Sequence, residues 1–271
     1  RDGFRYLRLN VGQGMLSVYH PTLINYHGPW SQVLVAPFFN SFPYSLDSVE
    51  RIGIVGLAAG TTARQANAVY EGIDIDGFEI DPKIVEAGRK YFDMTQANLN
   101  VYVQDGRWGL AHSPFEYDII SIDAYRPPYI PWHMTTVQFF EIVFDHLSDD
   151  GVMVINIGRS PLDRTLVNDL GTTIEEVFPT TFTMDIPESF NTILFATKQP
   201  GSWDNFLQNY NIIYDSQAAS LLKEAMTVTY MNRKPPIEQT QVYTDDRAPI
   251  EWLTNKIVVD FILSGGASEL Q

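Results

Sequence analysis

The 271 residues contain no cysteine, which excludes disulfides, thiolate zinc sites and cysteine nucleophiles. Cations are scarce: 18 Lys and Arg against 33 Asp and Glu give a formal net charge of -15. A chain so poor in positive charge is not built for a phosphate backbone, so no nucleic-acid partner is expected. No run approaches the roughly 18 to 20 apolar residues of a membrane-crossing helix, and no stretch reads as a signal peptide. The five histidines show no metal-ligand spacing, and no metal is expected. His20, His112 and His146 read as surface or packing residues.

What is present is a chain with 45% hydrophobic residues, enough to bury a substantial core. It is organised around residues 51–81. An apolar run, Ile52 to Val55, breaks at Gly56; a small-residue loop with Ala58, Ala59 and Gly60 follows. A helical pattern opens at Thr61, and a second apolar run ends on Glu79. Glycines let a loop backbone approach a ligand closely, and the free N–H groups of a helix start favour a polar or anionic group. An acid about twenty residues beyond the loop can accept both hydroxyl hydrogens of a ribose. The expected ligand is a nucleoside-containing cofactor, although G-L-A-A-G-T lacks the full G-x-G-x-x-G.

Around that unit the pattern predicts a hairpin over 6–20, a helix over 31–39 and a linker over 40–50. Asp81-Pro82 predicts a capped helix through Tyr91. Strands are predicted over 99–103, 117–122, 152–157, 181–185 and 192–197, with helices over 136–147 and 163–178. Asp149-Asp150-Gly151 reads as a turn. From Pro200 the pattern weakens: a helix near 217–227 is plausible, and 243–251 reads as a polar loop. Alternating strands and helices imply an α/β fold, a parallel sheet covered on both faces. The expected division is an N-terminal hairpin and linker region over 1–45 and a Rossmann-like domain over 46–271.

In such a sheet ligands bind outside the carboxyl ends of the strands. Gly56, Glu79, Asp105 and Asp123 all fall there. Each acid also has a structural role open to it: an ion pair for Glu79, a cap of the helix after Gly106 for Asp105, a cap before Pro127-Pro128 for Asp123. The loop over 125–136 is stiffened by three prolines and carries Tyr125, Tyr129, Trp132 and His133. It suits a lid over a cation, since aromatic faces attract ammonium and sulfonium groups, and equally a packed surface loop.

The order G-L-A-A-G-T-T-A-R-Q, F-E-I-D-P-K-I-V-E-A-G-R-K-Y-F, Q-D-G-R-W-G-L, Y-D-I-I-S-I-D-A-Y-R-P-P and F-F-E-I-V-F-D-H-L-S-D-D-G-V resembles the spermidine synthase (polyamine aminopropyltransferase) family. The resemblance implies a class I S-adenosylmethionine-dependent methyltransferase-like fold and decarboxylated S-adenosylmethionine as the bound cofactor. It implies that Glu79 holds the ribose hydroxyls and Asp105 the adenine amino group. By the same resemblance, Gly56 to Gly60 would line the loop beside the sulfonium tail, and Asp123 would match the family's catalytic carboxylate, which takes a proton from, or orients, an attacking amine. A homodimer is also implied, with aromatics such as Tyr19, Tyr26 and Trp30 as candidate contacts. The terminal T-D-D-R-A-P-I-E is similar to the tail of bacterial spermidine synthase-like proteins, some of which carry membrane-spanning segments before this domain. The expectation is therefore a cytoplasmic chain or a soluble domain of a longer, membrane-tethered one.

Two departures bear on the acceptor. The family loop reads G-G-G-D-G-G, and its aspartate falls on Ala59; its D-S-S-D-P aligns on residues 123–127, so the second aspartate becomes Arg126. Loss of two negative charges and gain of one positive charge disfavours a polyamine ammonium. Arg126 suits a carboxylate instead, or a surface ion pair. Three readings stay open: aminopropyl transfer to an amine, methyl transfer from intact S-adenosylmethionine, and nucleoside binding without catalysis.

Overall fold

A computed structural model describes residues 2–8, 14–125, 130–161 and 163–263. Two short strands, β1 (Arg5–Arg8) and β2 (Met15–Tyr19), pair antiparallel as the expected hairpin. The predicted helix over 31–39 is α-helical only as α1 (Pro29–Gln32) and continues as a 3₁₀ stretch, Val33–Phe39. Pro37 lies inside it; proline has no N–H to donate and its ring crowds the preceding turn, so an α-helix cannot run through. This stretch is fully buried. Trp30, expected at an exposed contact, is buried too, at 4% exposure.

The main sheet is built from β3 (Arg51–Val55), β4 (Asp74–Glu79), β5 (Leu99–Val103), β6 (Tyr117–Ile122), β7 (Leu147–Gly158), β8 (Thr180–Asp185) and β9 (Asn191–Thr197). Their order is β5-β4-β3-β6-β7-β9-β8, with β9 antiparallel to both neighbours. β7 begins earlier than predicted. Leu147 pairs with Tyr117 and Val152 with Ile119, so Ser148 to Gly151 form a bulge within the strand rather than a turn before it.

Successive strand residues face opposite sides, and the apolar runs divide accordingly. Ile52, Ile54, Ile119, Val152 and Val154 join one core. Val55, Ile120, Ile122, Met153, Ile155 and Ile157 join the other. Strands buried on both faces need such near-continuous apolar sequences. The first face packs against the 3₁₀ stretch, α2 (Thr61–Val69), α7 (Trp203–Asp215) and α8 (Ser220–Met231). The second packs against α4 (Gly106–Ala111), α5 (Val137–Asp145), α6 (Thr165–Glu175) and α9 (Ile250–Leu263). α3 (Pro82–Tyr91) begins as predicted: Asp81 accepts the Lys83 N–H at 2.8 Å, with Pro82 in the first turn.

Two helices were not predicted. α7 turns Asn209 inward, where its amide donates to the Phe38 and Asn40 carbonyls and accepts the Tyr44 N–H. A polar residue on the buried face breaks the apolar period that marks a helix. α9 carries apolar residues on its exposed side as well, at Trp252, Val259, Ile262 and Leu263, which blurs the same signal. Among the described residues no helix is long and apolar enough to cross a membrane.

Candidate functional site

The strand order reverses between β3 and β6, and the ends of β5, β4, β3 and β6 form one row. Backbone bonds tie that row together: Gln104 N–H donates to the Glu79 carbonyl, Gly56 N–H to Phe78, and Asp123 N–H to Val55. Asp105, Glu79, Gly56 and Asp123 thus stand side by side in strand order, with Asp105 and Asp123 at its two ends.

Gly56 has φ of +90°, and a Cβ there would lie 2.5 Å from the Asp123 carbonyl oxygen. Both facts require glycine. The turn continues through Ala58, also at positive φ, to Gly60, which caps α2 in the left-handed region. Gly106 is buried for a different reason: a Cβ would meet Val55 at 2.5 Å, so only glycine lets α4 start against β3.

Glu79 is buried to 7% exposure, and its two carboxylate oxygens accept the Ala58 N–H at 2.9 Å and the Asp81 N–H at 3.0 Å. Burial pushes its carboxyl above the usual range, against the pull of those backbone bonds. Each oxygen has a second lone pair for a hydroxyl. The next residue, Ile80, is 68% exposed, an apolar side chain at the strand end available to a flat ring. Its place directly after Glu79 is readable in the sequence.

Asp105 has two partners. One oxygen caps α4 by accepting the Trp108 N–H at 3.0 Å, and the other lies 2.9 Å from His133 Nε2. An ionised carboxylate only accepts, so that nitrogen carries the ring proton. Trp132 is exposed and meets the His133 ring edge-on. Arg107 secures the segment from below, donating to the His133 carbonyl and, through a two-pronged contact, to Asp245 at 2.8 and 2.7 Å. The T-D-D-R turn is thereby fastened to the site.

Asp123 is half-buried, and burial pushes its carboxyl up to about 6 while a bond from Asn156 Nδ2 at 3.0 Å opposes the rise. Tyr125 is tied to β7: its hydroxyl donates to the Asn156 carbonyl at 2.9 Å and accepts the Gly158 N–H at 2.7 Å. Burial, then the nearby Asp123 charge, raise its phenol far above its ordinary range. Arg126 and Tyr129 lie outside the described residues. Ala59 is buried with its N–H donated to Ser17 Oγ at 2.9 Å. Its side chain offers no charge to a ligand. Neither Ser17 nor Asn156 was singled out from sequence. Asn156 left a trace, as the one amide within the apolar run V-M-V-I-N-I.

A sheet in this order, with a glycine turn at the reversal and acids at three strand ends, defines the class I S-adenosylmethionine-dependent methyltransferase-like fold. Residues 43–209 match the model of the spermine/spermidine synthase domain, and the chain belongs to the spermine/spermidine synthase family. A probable polyamine aminopropyl transferase of Bifidobacterium longum is 34% identical over 225 residues, which are 78% of this chain and 50% of that protein. The chain spans about half the length of the curated relatives it matches. Among solved structures, spermidine synthase from Thermotoga maritima aligns with a TM-score of 0.62 at 20% identity, covering 80% of this chain and 74% of that one. Human methyltransferase-like protein 13 in complex with SAH aligns with a TM-score of 0.59 at 21% identity, covering 81% and 97%. These two likenesses concern the fold.

Proposed function

We propose that the chain is an aminopropyltransferase-like enzyme that binds decarboxylated S-adenosylmethionine and passes its aminopropyl group to a small amine. Glu79 holds the ribose, Ile80 lies against the adenine, and Asp105 meets the adenine amino group. The residues fit such a ligand, because Glu79 keeps free lone pairs and Ile80 is exposed beside it. When bound, the sulfonium supplies an electrophilic carbon and a thioether that leaves uncharged, so the protein needs a base but no general acid. The observation that carries the reading is the place of Asp123: a half-buried carboxylate beside the glycine turn, which burial pushes up to about 6. That value suits a group that takes a proton from the attacking nitrogen near neutrality. The net charge of -15 favours the approach of a cation.

The test is incubation with decarboxylated S-adenosylmethionine and a panel of small amines, reading release of methylthioadenosine. Release that disappears in Asp123→Asn supports the proposal; no release with any amine sinks it. A second reading, methyl transfer from intact S-adenosylmethionine, is favoured by Ala59, whose side chain leaves no acid for an aminopropyl ammonium. Calorimetric titration with both forms of the cofactor and with methylthioadenosine separates the two by which form binds more tightly. A homodimer is part of the proposal, to be checked by sedimentation equilibrium.

A further inference from the structure

Asp123 Oδ1 accepts from Asn156 Nδ2 at 3.0 Å, Asn156 Oδ1 accepts from Asn191 Nδ2 at 2.8 Å, and Asn191 Oδ1 accepts the Ser189 hydroxyl at 2.7 Å. Three side chains outside the sequence motifs therefore converge, link by link, on one oxygen of the proposed base. Their direction follows from chemistry. An ionised carboxylate only accepts, so Asn156 must turn its nitrogen toward Asp123; its oxygen then faces Asn191, whose oxygen in turn faces a hydroxyl able to donate. Asn156 is 8% exposed, and its own carbonyl is taken by Tyr125. Polar groups so enclosed are retained only when bonded.

We propose that Asn156, held in one orientation by Asn191 and Ser189, is a positioning residue for Asp123: it occupies Oδ1 and leaves Oδ2 as the oxygen offered to the acceptor N–H. The proposal rests on the amine-transfer reading above. Asp123 is faced by Asn156 from β7, by the Tyr125 phenol on its own segment and by the Gly56 backbone from the turn after β3. Among the described residues no charged side chain is bonded to it. The amide is thus the group that holds the carboxylate's ionisation against its burial.

The test is a carboxyl-carbon NMR titration of Asp123, its signal assigned by loss in Asp123→Asn. It is run on the wild type, Asn156→Leu, Asn191→Asp and Ser189→Thr. Asn191→Asp keeps the shape but presents an acceptor to Asn156, so that amide turns its oxygen toward Asp123. The midpoint is expected to rise by about one pH unit or more in Asn156→Leu and Asn191→Asp, and to stay put in Ser189→Thr, which keeps the hydroxyl. The acid limb of kcat should move with it, while methylthioadenosine binds with unchanged affinity. If Asn156→Leu does not fold, Asn156→Ala, which removes the amide without adding a charge, takes its place, because the new charge in Asn191→Asp raises the midpoint by itself. An unmoved midpoint in a folded, nucleoside-binding Asn191→Asp protein overturns the relay. Absence of turnover with every amine overturns the transferase reading instead, and the titration still decides the relay.

Discussion

Ser17 and Ala59 join the N-terminal hairpin to the turn after β3: Ser17 Oγ accepts the Ala59 N–H at 2.9 Å, and both residues are 1% exposed. Thr61 adds a two-way clasp, accepting from the Val18 N–H and donating to the Val18 carbonyl, each at 2.9 Å. The turn expected to offer open N–H groups to a ligand thus gives one of them to the hairpin. β2 is thereby fixed against that turn.

Ser17→Ala would leave the Ala59 N–H buried without a partner, a loss of about 1–3 kcal/mol. Urea melts should show that decrease, and hydrogen exchange at residues 58–61 should accelerate. Unchanged exchange there would mean that the hairpin is held by other contacts.

Glu79→Gln removes one of the two acceptors that the Ala58 and Asp81 N–H groups use, and turns an amide NH₂ toward a donor. The expected result is a melting temperature lower by several degrees and nucleoside affinity weaker by about tenfold or more, at a cost of about 1–3 kcal/mol. Calorimetry with methylthioadenosine measures the second effect; full affinity would remove Glu79 from the ribose site.

Asp123 links activity to stability with opposite signs. Burial pushes its folded-state value up to about 6, above the usual carboxylate value of about 3.8, so the folded chain holds the proton more tightly than the unfolded one. Stability falls as pH rises between those values, and the penalty is complete above them. Asp123→Asn should therefore be more stable than the wild type at pH 8 by at most about 3 kcal/mol, with the difference vanishing near pH 4. Turnover in the wild type should decline below pH 6. A less stable Asp123→Asn at pH 8 would show that the carboxylate is not held against its burial.

Arg107 and Asp245 form the clasp beneath His133. The hydrogen bond from Arg107 comes first among the causes that hold the Asp245 carboxyl below its usual range. The contribution is present above the unfolded carboxylate value of about 4 and is lost as pH falls through the lower folded value. Arg107→Ala should speed hydrogen exchange at residues 132–136 at neutral pH and weaken nucleoside binding through Asp105. Exchange equal to the wild type would assign the loop's order to Thr136, which also donates to Asp245 at 2.7 Å.

The places of Glu79, Asp105 and Asp123 at or just past neighbouring strand ends could be read from sequence, because an apolar run that breaks at an acid marks the end of a parallel strand. What closes around them could not. Ser17 and Asn156 act on residues 42 and 33 positions away, and no local period encodes such pairings. Asp105 shows the limit of choosing between roles, since it both caps α4 and meets His133. Trp30 reads as a surface aromatic beside glycine and proline, yet the 3₁₀ stretch that follows carries it inward.

The contact between Gly56 and the Asp123 backbone leaves no room even for a methyl group. The part of the site that would grip the nucleoside and the part that would receive the proton are therefore welded at one point and cannot drift apart as the chain diverges. New acceptor chemistry must arrive from the pieces bolted around that joint: the N-terminal hairpin, the loop carrying Trp132 and His133, and the β8–β9 turn. On this frame, a change of substrate is a change of walls around an immovable corner.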